Sequence, residues 1–392
     1  MIYVTGYGVI SSIGNNVEDT LTSLLAEKTG IKQGTRVHTE RFKVGEVDFT
    51  DAELMAHFGL NTSGSRTSLL GMIAAKEAFK GHELIEHIRT GLISGTSVGG
   101  MDVSEVEYKH YLEEKPHDIK RYAHHPSGTT SEEIASELGI SDFVNTISTA
   151  CSSAANAIMM GARMIQNGLI DRVVVGGTDS LTQFTISGFR SLMIFDEEWC
   201  RPFDETRKGL NLGEGAGYIV LESTASIKIT KKKPIAVLSG WSNASDAFHQ
   251  TASSPGGDGA ILSMKQALEV AKLNPEAIDY INAHGTATPN NDLSESKAIK
   301  SIFSSKIPPF SSTKAYTGHT LAASGGIEAV IAILAIQRKT LFPNLNHTHV
   351  IEETGLQPVK STIQIDRLKH VLSNSFGFGG NNSTIILSAF ES

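Results

Sequence analysis

Short β-branched runs alternate with helical periodicities along most of this 392-residue chain, and that alternation constrains the fold more than any other feature. Residues 3–10 read as a strand, 17–27 and 66–80 as helices, and 92–100 and 144–147 as strands. A helix then closes at Asn167-Gly168 and leads into a strand over 172–175. After residue 235 the pattern is helix 261–272, strand 280–283, helix 293–303, strand 309–311 and helix 321–338. Strands alternating with helices predict an α/β layered fold. Lys231-Lys232-Lys233-Pro234 is a solvated charge run ended by a helix-resistant residue, which places a boundary between residues 1–230 and 231–392. The stretch 105–133 has weak periodicity and reads as a polar excursion.

Composition excludes several function classes. A net charge of −8 argues against nucleic acid as the main partner, since phosphate binding needs a surplus of lysine and arginine. Two cysteines, Cys151 and Cys200, give no disulfide framework and suit a reducing, cytoplasmic compartment. The N-terminus enters a strand at once, without an export signal, and the apolar run 327–336 is too short to span a bilayer. Neither a membrane nor a bound metal is expected. The adjacent His124 and His125 lack a third ligand at fixed spacing.

Cys151 lies where the strand 144–147 turns into a helix, among Ala150, Ser152, Ser153, Ala154 and Ala155. The first N–H groups of a helix carry partial positive charge and favour a thiolate, while small neighbours leave room for a substrate. A buried, inert cysteine fits the same stretch. Cys200, beside Arg-Pro in a turn, reads as structural. His284 follows a strand within Asn-Ala-His-Gly-Thr-Ala-Thr-Pro-Asn-Asn-Asp, and His319 follows another within Ser-Thr-Lys-Ala-Tyr-Thr-Gly-His. One cysteine and two histidines, each at a strand-to-helix junction, form a set suited to acyl transfer.

Four motifs, Thr-Ala-Cys-Ser-Ser, Asn-Ala-His-Gly-Thr-x-Thr-Pro-x-x-Asp, Ser-Thr-Lys-x-x-x-Gly-His and Asn-Ser-Phe-Gly-Phe-Gly-Gly-Asn, resemble in order and spread the condensing enzymes of the β-ketoacyl synthase II type. The opening Val-Thr-Gly-Tyr-Gly-Val-Ile-Ser-Ser-Ile-Gly-Asn is similar as well. The resemblance implies a thiolase-like fold, two pseudo-duplicated α/β halves in an α-β-α-β-α arrangement. It implies decarboxylative Claisen condensation of a malonyl thioester with an acyl chain on Cys151, lengthening the chain by two carbons in fatty acid or polyketide synthesis. His284 and His319 would stabilise the enolate, and Lys314 and Glu328 would form a buried charged pair beside them. The backbone N–H groups of Cys151 and Phe378 would make an oxyanion hole. Thr286 and Thr288 would hold the phosphopantetheine arm, Phe378 would gate the acyl pocket against Phe189, and Val98 would floor it; Asp292 reads as structural.

The resemblance further implies no permanently bound cofactor, substrates carried on acyl carrier protein, and a homodimer. A second reading is a chain-length-factor-like partner of a heterodimeric ketosynthase, which would ordinarily lack the nucleophile. A thiolase would want a second catalytic cysteine near the C-terminus, where this chain has none. Candidate contacts to an acidic carrier are Arg66, Lys120, Arg121 and Arg190. The chain departs from the family pattern at Asn381, usually threonine, and at Asn290-Asn291 before Asp292.

Overall fold

The computed structural model describes residues 1–391 apart from 38, 40, 41, 63 and 305. Among these, ten strands form one continuous sheet with a repeated plan. The first half contributes, in chain order, Ile2–Ser11, Thr90–Gly95, Phe143–Ile147, Arg172–Asp179 and Gly215–Ser223. The second half contributes Ala236–Ser245, Tyr280–Asn282, Phe310–Ser311, His370–Gly377 and Asn381–Ala389. In both, the spatial order is third, second, fourth, fifth, first. In both, the third, second and fourth strands run parallel, and the fifth and first are antiparallel. The first strands of the two halves meet through Tyr3–Val237 and Val4–Ala236. This is the duplicated α/β architecture expected of a thiolase-like chain.

Side-chain alternation explains the layers. Val173 and Val175 enter a central apolar core, while Val174 between them enters an outer one. Ile385 and Leu387 likewise face the centre and Ile386 the opposite side. These strands are thus apolar on both faces, which requires helices on both. The helices Ser153–Gln166 and Ser324–Arg338 fill the middle, Arg66–Phe79 and Ser127–Leu138 cover the first half, and Asp258–Ala271 and Pro289–Ile302 cover the second. The middle helix Ser324–Arg338 sits directly on the sheet. A Cβ at Gly217 would lie 2.3 Å from the Ile327 nitrogen, and one at Gly326 would lie 2.2 Å from the Gly217 oxygen, so only glycine fits either position.

Several expectations need correction. The stretch 105–133 is largely ordered: it holds most of a helix, Met101–Leu112, a 3₁₀ turn, Ile119–His124, and the start of Ser127–Leu138. Its polarity reflects exposed helix faces and a weak apolar period. His124 bonds the Glu133 carboxylate at 2.7 Å and His125 the Ser104 hydroxyl at 2.8 Å. The helix expected over 321–338 begins as a 3₁₀ turn, Leu321–Ala323, before Ser324–Arg338. Residues 321–338 together are long and apolar enough to cross a membrane, contrary to the reading of 327–336 alone, but 89% of them are buried inside the protein. The tract from Asn374, which shows no strand pattern in sequence, is a β-hairpin whose tip is Phe378-Gly379-Gly380.

Arg66 is not available to a partner. Its side chain is 1% exposed, at the start of a buried helix, and donates from Nη2 to Glu214 Oε1 at 2.7 Å and from Nη1 to Asp51 at 2.7 Å. Burial raises the Glu214 carboxyl, and Arg66 and Arg36 more than offset this, holding it below the usual carboxylate range. Arg66→Met is therefore expected to destabilise the fold by about 3–5 kcal/mol, because it strands a buried carboxylate. Chemical denaturation with an unchanged slope checks this, and a midpoint equal to the parent's would refute it.

Candidate active site

The nucleophile candidate sits on a strained turn. Between the strand Phe143–Ile147 and the helix Ser153–Gln166, Ala150 takes φ of 52°, a left-handed conformation uncommon for a residue with a side chain. Ser153 caps the turn, accepting from the Thr149 N–H at 2.9 Å and donating to the Ala150 carbonyl at 2.6 Å. The result presents Cys151 to a cavity of about 420 Å³.

Glycine at 377 brings the hairpin tip against this turn. A Cβ there would lie 2.8 Å from the Thr149 carbonyl oxygen and 3.3 Å from the Cys151 nitrogen. With glycine there the backbone of residues 377–378 closes on the turn, and the Phe378 and Cys151 N–H groups are the backbone donors that favour the Cys151 thiolate. The expected thiolate is nevertheless not the resting form: burial pushes the thiol up to about 12, and the two N–H groups and Lys314 only partly oppose it. Desolvation outweighs the helix start.

Both histidines reach the same place. His319 Nε2 lies 3.0 Å from Cys151 Sγ, and the His284 ring stands edge-on to the His319 ring with centroids 5.4 Å apart. His319 is not placed by a strand-to-helix junction as expected. It follows the short helix Lys314–Thr317 and is clamped by backbone bonds, its N–H to the Asn211 carbonyl at 2.7 Å and its carbonyl from the Gly213 N–H at 3.0 Å. His284 does follow its strand, and Glu295 accepts from the N–H groups of His284 and Gly285 at 2.9 and 2.8 Å.

Lys314 is buried and joins the site. Its Nζ is 2.5 Å from Glu328 Oε1 and 3.2 Å from His284 Nδ1. An ammonium can only donate, so Nδ1 must accept and the His284 proton is left on Nε2. His319 is different. Its Nδ1 faces the Ser324 hydroxyl at 3.0 Å, which can donate or accept because it also bonds Thr320 Oγ1 at 3.1 Å. His319 Nε2 can thus accept a thiol proton in one step and donate in another. Burial, then Lys314, holds both imidazoles well below their ordinary pKa, so both are neutral near pH 7.

The remaining expected residues divide. Thr286 and Thr288 line the cavity, with their hydroxyls 2.9 Å apart. Phe378 also lines it and stacks on Phe189 at 5.7 Å. Val98 lies outside that cavity, in an apolar cluster with Leu181, Ile186, Leu210 and Leu321 against Phe189. Asp292 is buried and accepts from the N–H groups of Phe203 and Ala287, and Cys200 is buried beneath Lys314. Sequence reading missed Glu295, Ser324 and Asp179. Asp179 is buried, burial raises its carboxyl to about 6, and it accepts from Thr96 and from the N–H groups of Ser97, Val98 and Ala322. It also missed Phe376, which lines the cavity with its ring 5.7 Å from that of His284. The Gly-Gly-Thr-Asp that ends a strand was the available signal for Asp179; the others follow from contacts between distant segments.

Models of the β-ketoacyl synthase N-terminal and C-terminal domains match residues 1–226 and 235–348. The chain belongs to the β-ketoacyl synthase family. The synthase is 34% identical to 3-oxoacyl-[acyl-carrier-protein] synthase 2 of Staphylococcus aureus (strain COL), over 100% of this chain and 98% of that one. It is also 34% identical to the protein of that name from Coxiella burnetii (strain RSA 493 / Nine Mile phase I), over 99% and 98%. Among solved structures, the ishigamide ketosynthase/chain length factor matches with a TM-score of 0.93 at 30% identity, covering 100% of the synthase and 99% of that chain. The ketosynthase ApeO in complex with its chain length factor ApeC, from Xenorhabdus doucetiae, matches at 0.85 and 31%, covering 99% and 98%.

Proposed function

We propose that the synthase condenses an acyl chain carried on Cys151 with a malonyl group on acyl carrier protein, with loss of CO₂ and a gain of two carbons. The observation that carries this reading is the 3.0 Å approach of His319 Nε2 to Cys151 Sγ, beside a second imidazole fixed as an Nε2 donor. In the first step the thiol attacks the acyl thioester, its proton passing to His319 Nε2. The N–H groups of Cys151 and Phe378 receive the oxyanion, which collapses to the Cys151 thioester and expels the carrier's phosphopantetheine thiolate; that sulfur takes the proton back from His319 Nε2 and departs as a thiol. In the second step the imidazole N–H groups of His284 and His319 stabilise the enolate left when the malonyl carboxylate departs as CO₂. The carbanion then attacks the acyl-cysteine carbonyl, the same two backbone donors meet that oxyanion, and its collapse breaks the C–S bond, leaving the extended product on the carrier and a Cys151 thiolate that takes a proton from solvent.

Lys314, paired with Glu328, fixes His284, and Thr286 and Thr288 hold the phosphopantetheine arm in the cavity. No permanently bound cofactor enters this scheme. The nucleophile disfavours the non-catalytic partner reading. The outer strand Phe143–Ile147 is half-exposed and leaves one edge unpaired, which supports a dimer closing over it with a second copy or a ketosynthase-like subunit. We assign the halves to residues 1–230 and 231–392, and the site of action to the cytoplasm, a reducing compartment that suits two cysteines left as free thiols.

Arg190, which lies over the Phe42 ring, and Lys208, which lines the cavity, are exposed and with Lys120 present positive charge to an acidic carrier; Arg121 is also exposed and bonds Glu107 at 2.8 Å. Arg190→Glu is expected to raise the apparent KM for the carrier-bound acyl donor several-fold, with kcat kept and the effect shrinking in high salt. An unchanged KM would remove Arg190 from the docking surface.

The activity itself is tested by intact-mass spectrometry after incubation with acyl-loaded carrier, then malonyl carrier. An acyl mass that appears on the protein and leaves as a product two carbons longer is expected. No mass gain with any donor would overturn the reading.

A further inference from the structure

The reactive turn and the hairpin tip come from opposite halves of the chain, and one side chain spans them. Asn381 is the cross-strand partner of Gly377, immediately before Phe378. Its Oδ1 accepts from the Ser152 hydroxyl at 2.7 Å, from Asn156 Nδ2 at 2.9 Å and from Asn243 Nδ2 at 2.7 Å. Ser152 adjoins Cys151, Asn156 lies on the helix that starts there, and Asn243 lies on the neighbouring strand Ala236–Ser245. The network closes on itself: Asn156 Oδ1 accepts from Asn243 Nδ2 at 3.1 Å and from the Ser383 hydroxyl at 2.7 Å. Asn156 Nδ2 also reaches Thr149 Oγ1 at 2.8 Å, across the turn.

This position is where the chain departs from its family's usual threonine. A threonine hydroxyl is shorter than the carboxamide and would have to reach the same three donors from closer to the backbone. The tip beyond it, Phe378-Gly379-Gly380, has two glycines at φ of 83° and 76°; the Gly379 N–H bonds the Gln250 carbonyl at 2.7 Å and the Gly380 carbonyl accepts from the Asp246 N–H at 2.9 Å, so its far side is tied to the loop after the strand Ala236–Ser245, and Asn381 ties its near side to the reactive turn.

We propose that Asn381 is a positioning residue for the oxyanion site: by tying Ser152 and the helix start to the root of the hairpin, it sets the separation of the Cys151 and Phe378 N–H groups. The assignment rests on the condensing reading above for its catalytic consequence, but the geometry it fixes is independent of substrate. Two donors aimed at one developing charge tolerate little displacement; about 1 Å of misplacement costs on the order of 100-fold in rate.

The test uses the full chain as wild type, Asn381→Ala and Asn381→Thr, with two readouts. The first is the rate of acyl transfer and of condensation per acylated protein, with carrier saturating and the acylated fraction counted by mass. Asn381→Ala is expected to be at least about tenfold slower per site, with KM for the carrier unchanged, and Asn381→Thr to recover part of the loss. The second is the rate of Cys151 alkylation by iodoacetamide at fixed pH, with Cys151→Ala correcting for Cys200. Displacing the Phe378 donor leaves the thiolate less stabilised and a smaller fraction of Cys151 ionised, so alkylation of Asn381→Ala should slow several-fold.

Per-site rates and alkylation within twofold of wild type would overturn the assignment. So would a loss confined to the acylatable fraction, since that marks a purely structural role. If wild type gains no acyl mass while alkylation still slows in Asn381→Ala, the condensing reading fails and the positioning role stands.

Discussion

Cys151→Ala is expected to take up no acyl group from a loaded carrier and to make no elongated product, a loss on the order of 10⁴-fold or more. Among the described residues Cys151 carries the only thiol that lines the cavity, because Cys200 is buried beneath the Lys314 carbonyl and outside it. The variant should still release CO₂ slowly from malonyl carrier. The proposed enolate donors, His284 and His319, take their positions from Lys314, Glu295, Ser324 and backbone bonds, none of which involves the sulfur. Acyl mass found on Cys151→Ala would move the nucleophile elsewhere, and loss of CO₂ release together with acylation would show that the histidines depend on the thiol. With the thiol pushed up to about 12 in the resting protein, acylation should also accelerate as pH rises above neutrality.

The sequence carried the elements that have local causes. The helix that ends near Asn167-Gly168, the strand before Cys151 and the helix Arg66–Phe79 are written in short-range periodicity and lie where they are expected. What misled was either weak periodicity or long-range compensation. The helices within 105–133 carry little apolar stripe, because most of their faces are exposed. Arg66 looks like a surface cation until Glu214, 148 residues away, is placed against it. Cys151 sits at a helix start that favours a thiolate, and only the assembled core shows that desolvation wins. Glu295 lies within a helix beyond the histidine motif, and nothing local distinguishes it from a solvated glutamate.

The two histidines also show why motif reading and geometry answer different questions. The motifs place both near the thiol and imply one shared role. Their partners are unequal: an ammonium can lock His284 in a single tautomer, while a hydroxyl leaves His319 free to exchange its proton position. Two chemical steps with opposite demands on one nitrogen require such a difference.

Lys314→Met tests that inequality. Methionine keeps the length of the side chain and removes the charge and the donor. Decarboxylation of malonyl carrier is expected to fall by about 10²–10³-fold, the usual cost of one misdirected donor, because His284 Nδ1 loses the bond that leaves the proton on Nε2. The pH dependence should move in a defined direction. Burial first and Lys314 second depress both imidazoles, so wild type keeps neutral histidines well below pH 6.5. Without the lysine their pKa values rise, and the acid limb of the rate profile shifts upward towards the ordinary imidazole range. Glu328, whose carboxyl burial already raises to about 7 against the pull of Lys314, would rise further and stay protonated at neutral pH, so the variant need not carry a stranded charge. A variant that loses rate with an unmoved acid limb would mean that Lys314 supports packing alone. One that keeps the wild-type rate would mean that His284 holds its tautomer without it.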